Sequence, residues 1–233
     1  MKHPLLLLAI EFLFIAVLFS CKPSTSRPTA QPFERILQDT TKNDRAKWDL
    51  GQLKHYNGIC KGIGLNRLYD GVDSFEVRVW RQFSYFGASV DEEIYSLKFV
   101  DTAVQLTYYR VYCTPFDYDK NYNKWDPFTD PKIDSFVAKS ITFSKKVIDS
   151  INLPALWNLK TQSAVHIPDS IGYTDGAVTS IELASRTRYK LIRYHEALSY
   201  YQDTKIKEIG EYLMAYDKLR ALFQSHRVFA RIY

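Results

Sequence analysis

Apolar and polar residues alternate along several stretches of the chain, and the alternation predicts a sheet. From Ser74 onward, Phe75, Val77 and Val79 point one way while Glu76, Arg78 and Trp80 point the other. A period of two with one apolar side is the pattern of a strand with one buried face. The runs Glu93–Val100 and Ala103–Cys113 meet across Asp101-Thr102. Two β-rich runs separated by two residues predict a hairpin. A second hairpin joins Ala177–Leu183 to Arg188–His195, and the turn pair Asp175-Gly176 introduces it. Five strands joined mostly by hairpins predict an antiparallel sheet.

Elsewhere the period lengthens to three or four. Between Asp203 and His226, Ile206, Ile209, Leu213, Tyr216, Leu219 and Phe223 form one stripe with charged residues between them. Such a stripe predicts a long C-terminal helix packed on the sheet. Ser144–Asn152 carries Val147, Ile148 and Ile151 at helical spacing behind Phe143, a shorter helix that Pro154 stops. A further helix is expected around Asp44–Tyr56. The expected fold class is α+β: an antiparallel sheet of about five strands, packed by the long C-terminal helix and one or two shorter ones. A single domain is expected over residues 33–233.

The start of the chain reads differently. Lys2 and His3 precede an apolar run from Pro4 to Ser20, and a small residue stands before Cys21. These are the parts of a secretory signal peptide over residues 1–20. A transmembrane anchor is the competing reading, but a span wants about 20 predominantly apolar residues. The run is shorter than that and holds Glu11, a costly residue in a bilayer. Its ending, Leu18-Phe19-Ser20-Cys21, resembles the lipobox of bacterial lipoproteins. The resemblance implies cleavage before Cys21, diacylglycerol on its sulfur, and attachment to a membrane through that lipid. Residues 21–32 hold three Pro and four Ser/Thr, the composition of a flexible tether. Asp73–Trp80, Leu153–Leu159 and the Asp175-Gly176…Ile181-Glu182…Tyr189 hairpin are similar to pieces of uncharacterised Bacteroidetes-type lipoproteins, a resemblance that implies no activity. Position 22 is Lys, where Asp resembles an inner-membrane retention signal, and the tether lacks the acidic run that resembles a surface-export signal. The resemblance therefore implies the periplasmic face of the outer membrane.

Composition narrows the partners. Thirty-one basic and 26 acidic residues are interspersed along the chain. Nucleic-acid binders cluster their basic residues, so no nucleic-acid partner is expected. Aromatics are abundant, with 17 Tyr, 14 Phe and 4 Trp. With Cys21 acylated, Cys60 and Cys113 remain as an even pair in an oxidising compartment. A bridge between them would close a loop of about fifty residues, worth roughly 4 kcal/mol in the chain-entropy model. Two buried thiols are the alternative.

Motifs for chemistry are scarce. No G-x-S-x-G elbow, H-E-x-x-H helix or phosphate-binding glycine loop occurs, and Gly62-Ile-Gly64 lacks the third glycine of a dinucleotide fingerprint. No catalytic residue, metal or cofactor is read from the chain. His195 beside Glu196 is the one tempting pair, but neighbours on a strand point to opposite faces. The histidines read as scattered surface residues. Asp117, Asp119 and Asn121 fall at the first, third and fifth places of a calcium loop, yet Tyr122 and Phe128 replace its Gly and its bidentate Glu. The same loop interleaves Phe116, Tyr118, Tyr122 and Trp125 with polar groups, which suits sugar or peptide contact, or a loop packed on its own side chains.

Three function classes stay open. A non-catalytic, membrane-tethered envelope lipoprotein with a protein or glycan ligand, the leading one, predicts no pocket of convergent polar groups. A hydrolase acting on envelope material predicts a carboxyl pair in a cleft, with a raised pKa. An inhibitor or immunity-type protein predicts one exposed aromatic and charged patch.

Overall fold

The computed structural model describes residues 34–36, 46–82, 90–114, 131–174 and 176–228. Seven strands form one sheet: β1 (Glu34–Ile36), β2 (Phe75–Gln82), β3 (Val90–Val100), β4 (Ala103–Cys113), β5 (Ile133–Ser144), β6 (Val178–Ser185) and β7 (Arg188–His195). Their order is β1-β7-β6-β2-β3-β4-β5. Six strands are antiparallel, and the short β1 joins the edge parallel to β7. The helices are α1 (Ala46–Ile63), α2 (Leu153–Leu156), α3 (Ala197–Thr204) and α4 (Lys207–Ser225). The fold class is α+β, with the long helix at the C-terminal end.

Both hairpins form as the alternation predicts. Asp101 takes the left-handed conformation, φ 50°, to turn the first one. The long terminal stripe is also helical, with Ile209, Tyr212, Tyr216, Leu219 and Phe223 buried against Val77, Val79, Leu97, Ile181 and Ile192 of the sheet. Lys205, at φ 54°, separates it from α3.

Three expectations about the strands and helices need correction. The strand at Phe75–Gln82 is buried on both faces, because α4 covers one side of the sheet and α1 the other. The stretch Ser144–Asn152 is one 3₁₀ turn, Lys145–Ile148, followed by a bend. Pro154 opens α2 instead of stopping a helix: proline suits the first turn, where its missing N–H leaves nothing unsatisfied, and Asn152 caps it by accepting from the Ala155 N–H at 3.2 Å. The third is β5, absent from the expected five strands. It is an edge strand exposed from Asp134 to Ser140, so nothing imposes an alternating pattern on it.

The α1 side is unusual. Its apolar cluster of Tyr56, Ile59, Cys60, Trp80, Ile94 and Val111 shares the interface with buried Glu76, Arg78, Gln82, Glu92 and Glu182. Gly58 and Gly62, one helical turn apart on α1, let Pro131 and the Ile133 side chain approach its backbone where a Cβ would stand.

Cys60 and Cys113 both lie in this cluster as separate, unbridged thiols, so the expected disulfide is not formed. Cys60 turns its sulfur to the Arg78 guanidinium, whose Nη1 donates to it at 3.2 Å. Burial pushes the Cys60 thiol up to about 12 and raises that of Cys113 as well, so neither ionises readily to the reactive thiolate. The many tyrosines have structural uses: Tyr56, Tyr189 and Tyr212 are buried, and their hydroxyls donate to Ser180, Glu182 and Thr179.

Candidate functional site

One end of the sheet carries a pocket of about 220 Å³. It forms because the last inward-facing residues of β7 stay polar. Tyr189 and Leu191 of that strand pack under α1, but Arg193 and His195, which follow on the same face, line the pocket. The first turn of α1 brings Asp49 to it. A 3₁₀ turn, Gln162–Ala164, adds Gln162 and Ser163. The segment after it contributes Asp169 and Tyr173, and α3 contributes Tyr200.

The local backbone explains how these pieces meet. Among the described residues, strand pairing on this edge of β7 ends opposite Lys190, where β1 ends. Side chains take its place: the Thr161 hydroxyl donates to the Arg193 carbonyl and accepts from the Arg193 N–H, both at 3.1 Å. Gln162 accepts from the His195 N–H at 2.7 Å. The 3₁₀ turn is thereby docked on the strand, and Ser163 reaches Asp49, donating to its Oδ2 at 2.8 Å.

Glu196 completes the frame. It sits at φ 49°, a conformation costly for a non-glycine residue, directly after His195. One carboxylate oxygen accepts from the Ala177 N–H at 2.6 Å, the other from the Ser199 hydroxyl at 2.8 Å. Gly176 lies so close to this carboxylate that any Cβ there would displace it. The strand therefore ends at His195, and the expectation that His195 and Glu196 face apart applies only while a strand continues. Glu196 holds the turn, and His195 faces the pocket.

Electrostatics single out Asp49. Burial raises its pKa, and this outweighs the Ser163 hydrogen bond, the Arg193 charge and the more distant Thr161 hydroxyl, which all pull it down. Arg193 is itself buried and donates from Nε to Gln52 Oε1 at 3.4 Å. Gln52 donates to Gln82 at 2.9 Å, and Gln82 contacts both His55 and Glu92. His55 and Glu92 are paired and almost wholly buried. A chain of buried polar side chains thus runs from the pocket along the underside of α1. On the far wall the rings of Tyr173 and Tyr200 meet edge to face, centroids 4.8 Å apart.

Little of this site shows in the sequence. Cys21 and the loop candidates Asp117, Asp119, Asn121, Tyr122 and Trp125 lie outside the described residues. The sequence makes His195 a surface residue; in the structure it lines the pocket, and His55 is buried. Asp49, Ser163, Asp169, Arg193 and Tyr200 come from five separate places in the chain and share no local motif. The available signal was positional: Arg193 and His195 continue the inward register of Tyr189 and Leu191. Among the described residues, no group of three or more His, Cys, Asp or Glu is placed to hold a metal. No protein-family model matches the chain, and no curated protein matches it.

A carboxyl kept buried beside a pocket costs stability when ionised. The raised pKa means that the folded state resists losing the proton. The penalty is absent below the ordinary carboxyl value of 3.8, grows as pH rises through the raised value, and is complete above it. Asp49→Asn keeps the acceptor for Ser163 without the charge. Thermal unfolding should therefore show the variant melting above the wild type at pH 7, with the gap closing below about pH 4. A wild type more stable at pH 7 would show that the ionised carboxylate is favoured.

Proposed function

We propose that the chain is an envelope lipoprotein, tethered through lipid on Cys21, whose domain binds a sugar-sized polar ligand in the pocket between Asp49, Arg193 and Tyr200. The observation that carries the ligand reading is the convergence of polar side chains from separate segments on one concavity with a tyrosine wall. The leading expectation from sequence, a non-catalytic lipoprotein presenting a binding surface, predicts no pocket of convergent polar groups, and this concavity departs from it. Its volume is below the range of about 300–1,000 Å³ typical for drug-sized ligands, which favours a single sugar ring or an amino sugar. Tyrosine rings offer a flat apolar surface for the ring's C–H face, and the carboxyls, amide and guanidinium offer partners for its hydroxyls.

One observation favours a second reading, a hydrolase. Asp49 is a buried carboxyl with a raised pKa in a cleft, the property of a general acid. Both readings use the same titration. A panel of hexoses, amino sugars and their disaccharides should include a member that raises the melting temperature and binds with a micromolar to millimolar Kd, weakened about tenfold or more by Arg193→Gln. Disaccharide cleavage lost in Asp49→Asn would select the hydrolase. No binding by any panel member would overturn the ligand class.

The tether reading rests on the apolar run, the lipobox-like ending and the Pro/Ser/Thr-rich segment after it. Among the described residues no helix is long and apolar enough to cross a membrane, and the apolar run lies outside them. Mass spectrometry of the membrane-fraction protein should find an acylated N-terminal Cys21, with unprocessed precursor in Cys21→Ser. A chain that begins elsewhere, with an unmodified Cys21, would refute the tether.

A further inference from the structure

We infer that the end of the sheet opposite the pocket lies against an anionic phospholipid surface, so that the pocket opens away from the membrane. The inference rests on the tether reading and adds an orientation to it. Strand register supplies the geometry. The chain enters the sheet at Glu34, which pairs with Arg188 at the start of β7. Phe75 pairs with Ser185, Val100 with Ala103, and Ala103 with Ser144, so all of these stand in one row at the entry end. His195 stands at the other end of β7, about 23 Å away for a strand of that length.

The entry end has the chemistry of an interfacial surface. Phe75 packs on Phe99 and Trp157, with ring centroids 5.5 and 6.1 Å apart, and all three rings stay partly exposed. Val100, beside the Asp101-Thr102 turn, is 43% exposed. Basic groups border the rings: the Arg188 guanidinium lies 3.9 Å from the Trp157 ring centre, and the Lys145 ammonium 5.5 Å from that of Phe99. Lys98, Lys146 and Arg186 are exposed at the same end. Against these five cations stand Glu34, Asp73, Asp101 and Asp149, while Arg67 and Asp70 pair with each other. Aromatic rings at headgroup depth, with basic side chains reaching phosphates, are the means by which peripheral proteins sit on anionic bilayers. Only twelve residues, 21–32, separate Cys21 from this side of the domain in sequence, and twelve residues reach at most about 43 Å, so lipid on Cys21 would bring this end within reach of the bilayer.

The orientation can be tested with the anchor supplied chemically. The chain from Cys21 onward is coupled through that thiol to maleimide lipid in phosphatidylglycerol vesicles that carry a diazirine headgroup lipid, the other two cysteines being buried. After illumination, lipid adducts should concentrate in residues 98–103, 145–146, 157 and 185–188. Residues 162–173 and 195–200 should carry few. Lys145→Glu with Arg186→Glu should lower the entry-end adducts at least about fivefold while the protein stays coupled. Adducts concentrated around the pocket, spread evenly over both ends, or unchanged by the charge reversal would overturn the inference. Because the anchor is synthetic, this result is independent of whether cells acylate Cys21, which the mass measurement decides separately.

Discussion

A guanidinium buried in the middle of the sheet governs how this domain is put together. Arg78 is 2% exposed on the α1 face of β2. A charge in that position is tolerated only with partners, because its desolvation costs several kcal/mol. Glu76, two residues earlier on the same face, accepts from its Nε at 2.7 Å and also takes the Ser96 hydroxyl at 2.8 Å. Cys60 of α1 meets it from above. Glu182 of the neighbouring strand faces it as a second carboxyl, its pKa raised by burial against the pull of Arg78 and of Trp80 Nε1 and the Tyr189 hydroxyl, which donate to it at 2.6 Å each. Strands β2, β3 and β6 and helix α1 all contribute to satisfying this one layer.

The consequence is registry. An apolar interface can slide by a methyl group at little cost, whereas a layer of directional hydrogen bonds has one alignment. The α4 face is of the first kind, with tyrosines and aliphatic side chains interdigitated. The α1 face is of the second kind. With Cys60 fixed over Arg78, Tyr56 over Ser180 and Gln52 over Gln82, the helix has one position along its axis, and Asp49 at its start is delivered to Ser163 and Arg193. The pocket is the free end of that polar layer. Strain at Glu196 and the close approach at Gly176 lie at the same end, where backbone that is costly to build commonly surrounds a site.

Much of the fold was legible because it obeys simple periodicities. The two hairpins and the stripe of α4 are local patterns, and they appear where those patterns put them. The polar face of β2 misleads for a physical reason: Glu76, Arg78 and Gln82 look solvent-facing in sequence, and only the packing of α1 over them buries them. Strand β5 was illegible because an edge exposed on both sides places no demand on its residues. Pro154 reads in sequence as a terminator, although the same rigid ring also suits a helix start. The site itself was hidden, since Asp49, Ser163 and Arg193 are brought together by tertiary structure and none is embedded in a motif.

Equilibrium denaturant unfolding of three variants, Arg78→Met, Glu76→Leu and the two combined, tests the role of the buried layer most directly. Arg78→Met alone should lose about 3–5 kcal/mol, because it strands a buried carboxylate. That is a large share of the roughly 5–15 kcal/mol of a typical domain. Adding Glu76→Leu should restore more than half of the loss, since the pair is replaced by apolar side chains of similar size. A loss below about 1 kcal/mol in Arg78→Met, or a double variant whose loss equals the sum of the two singles, would contradict a coupled, structure-setting pair.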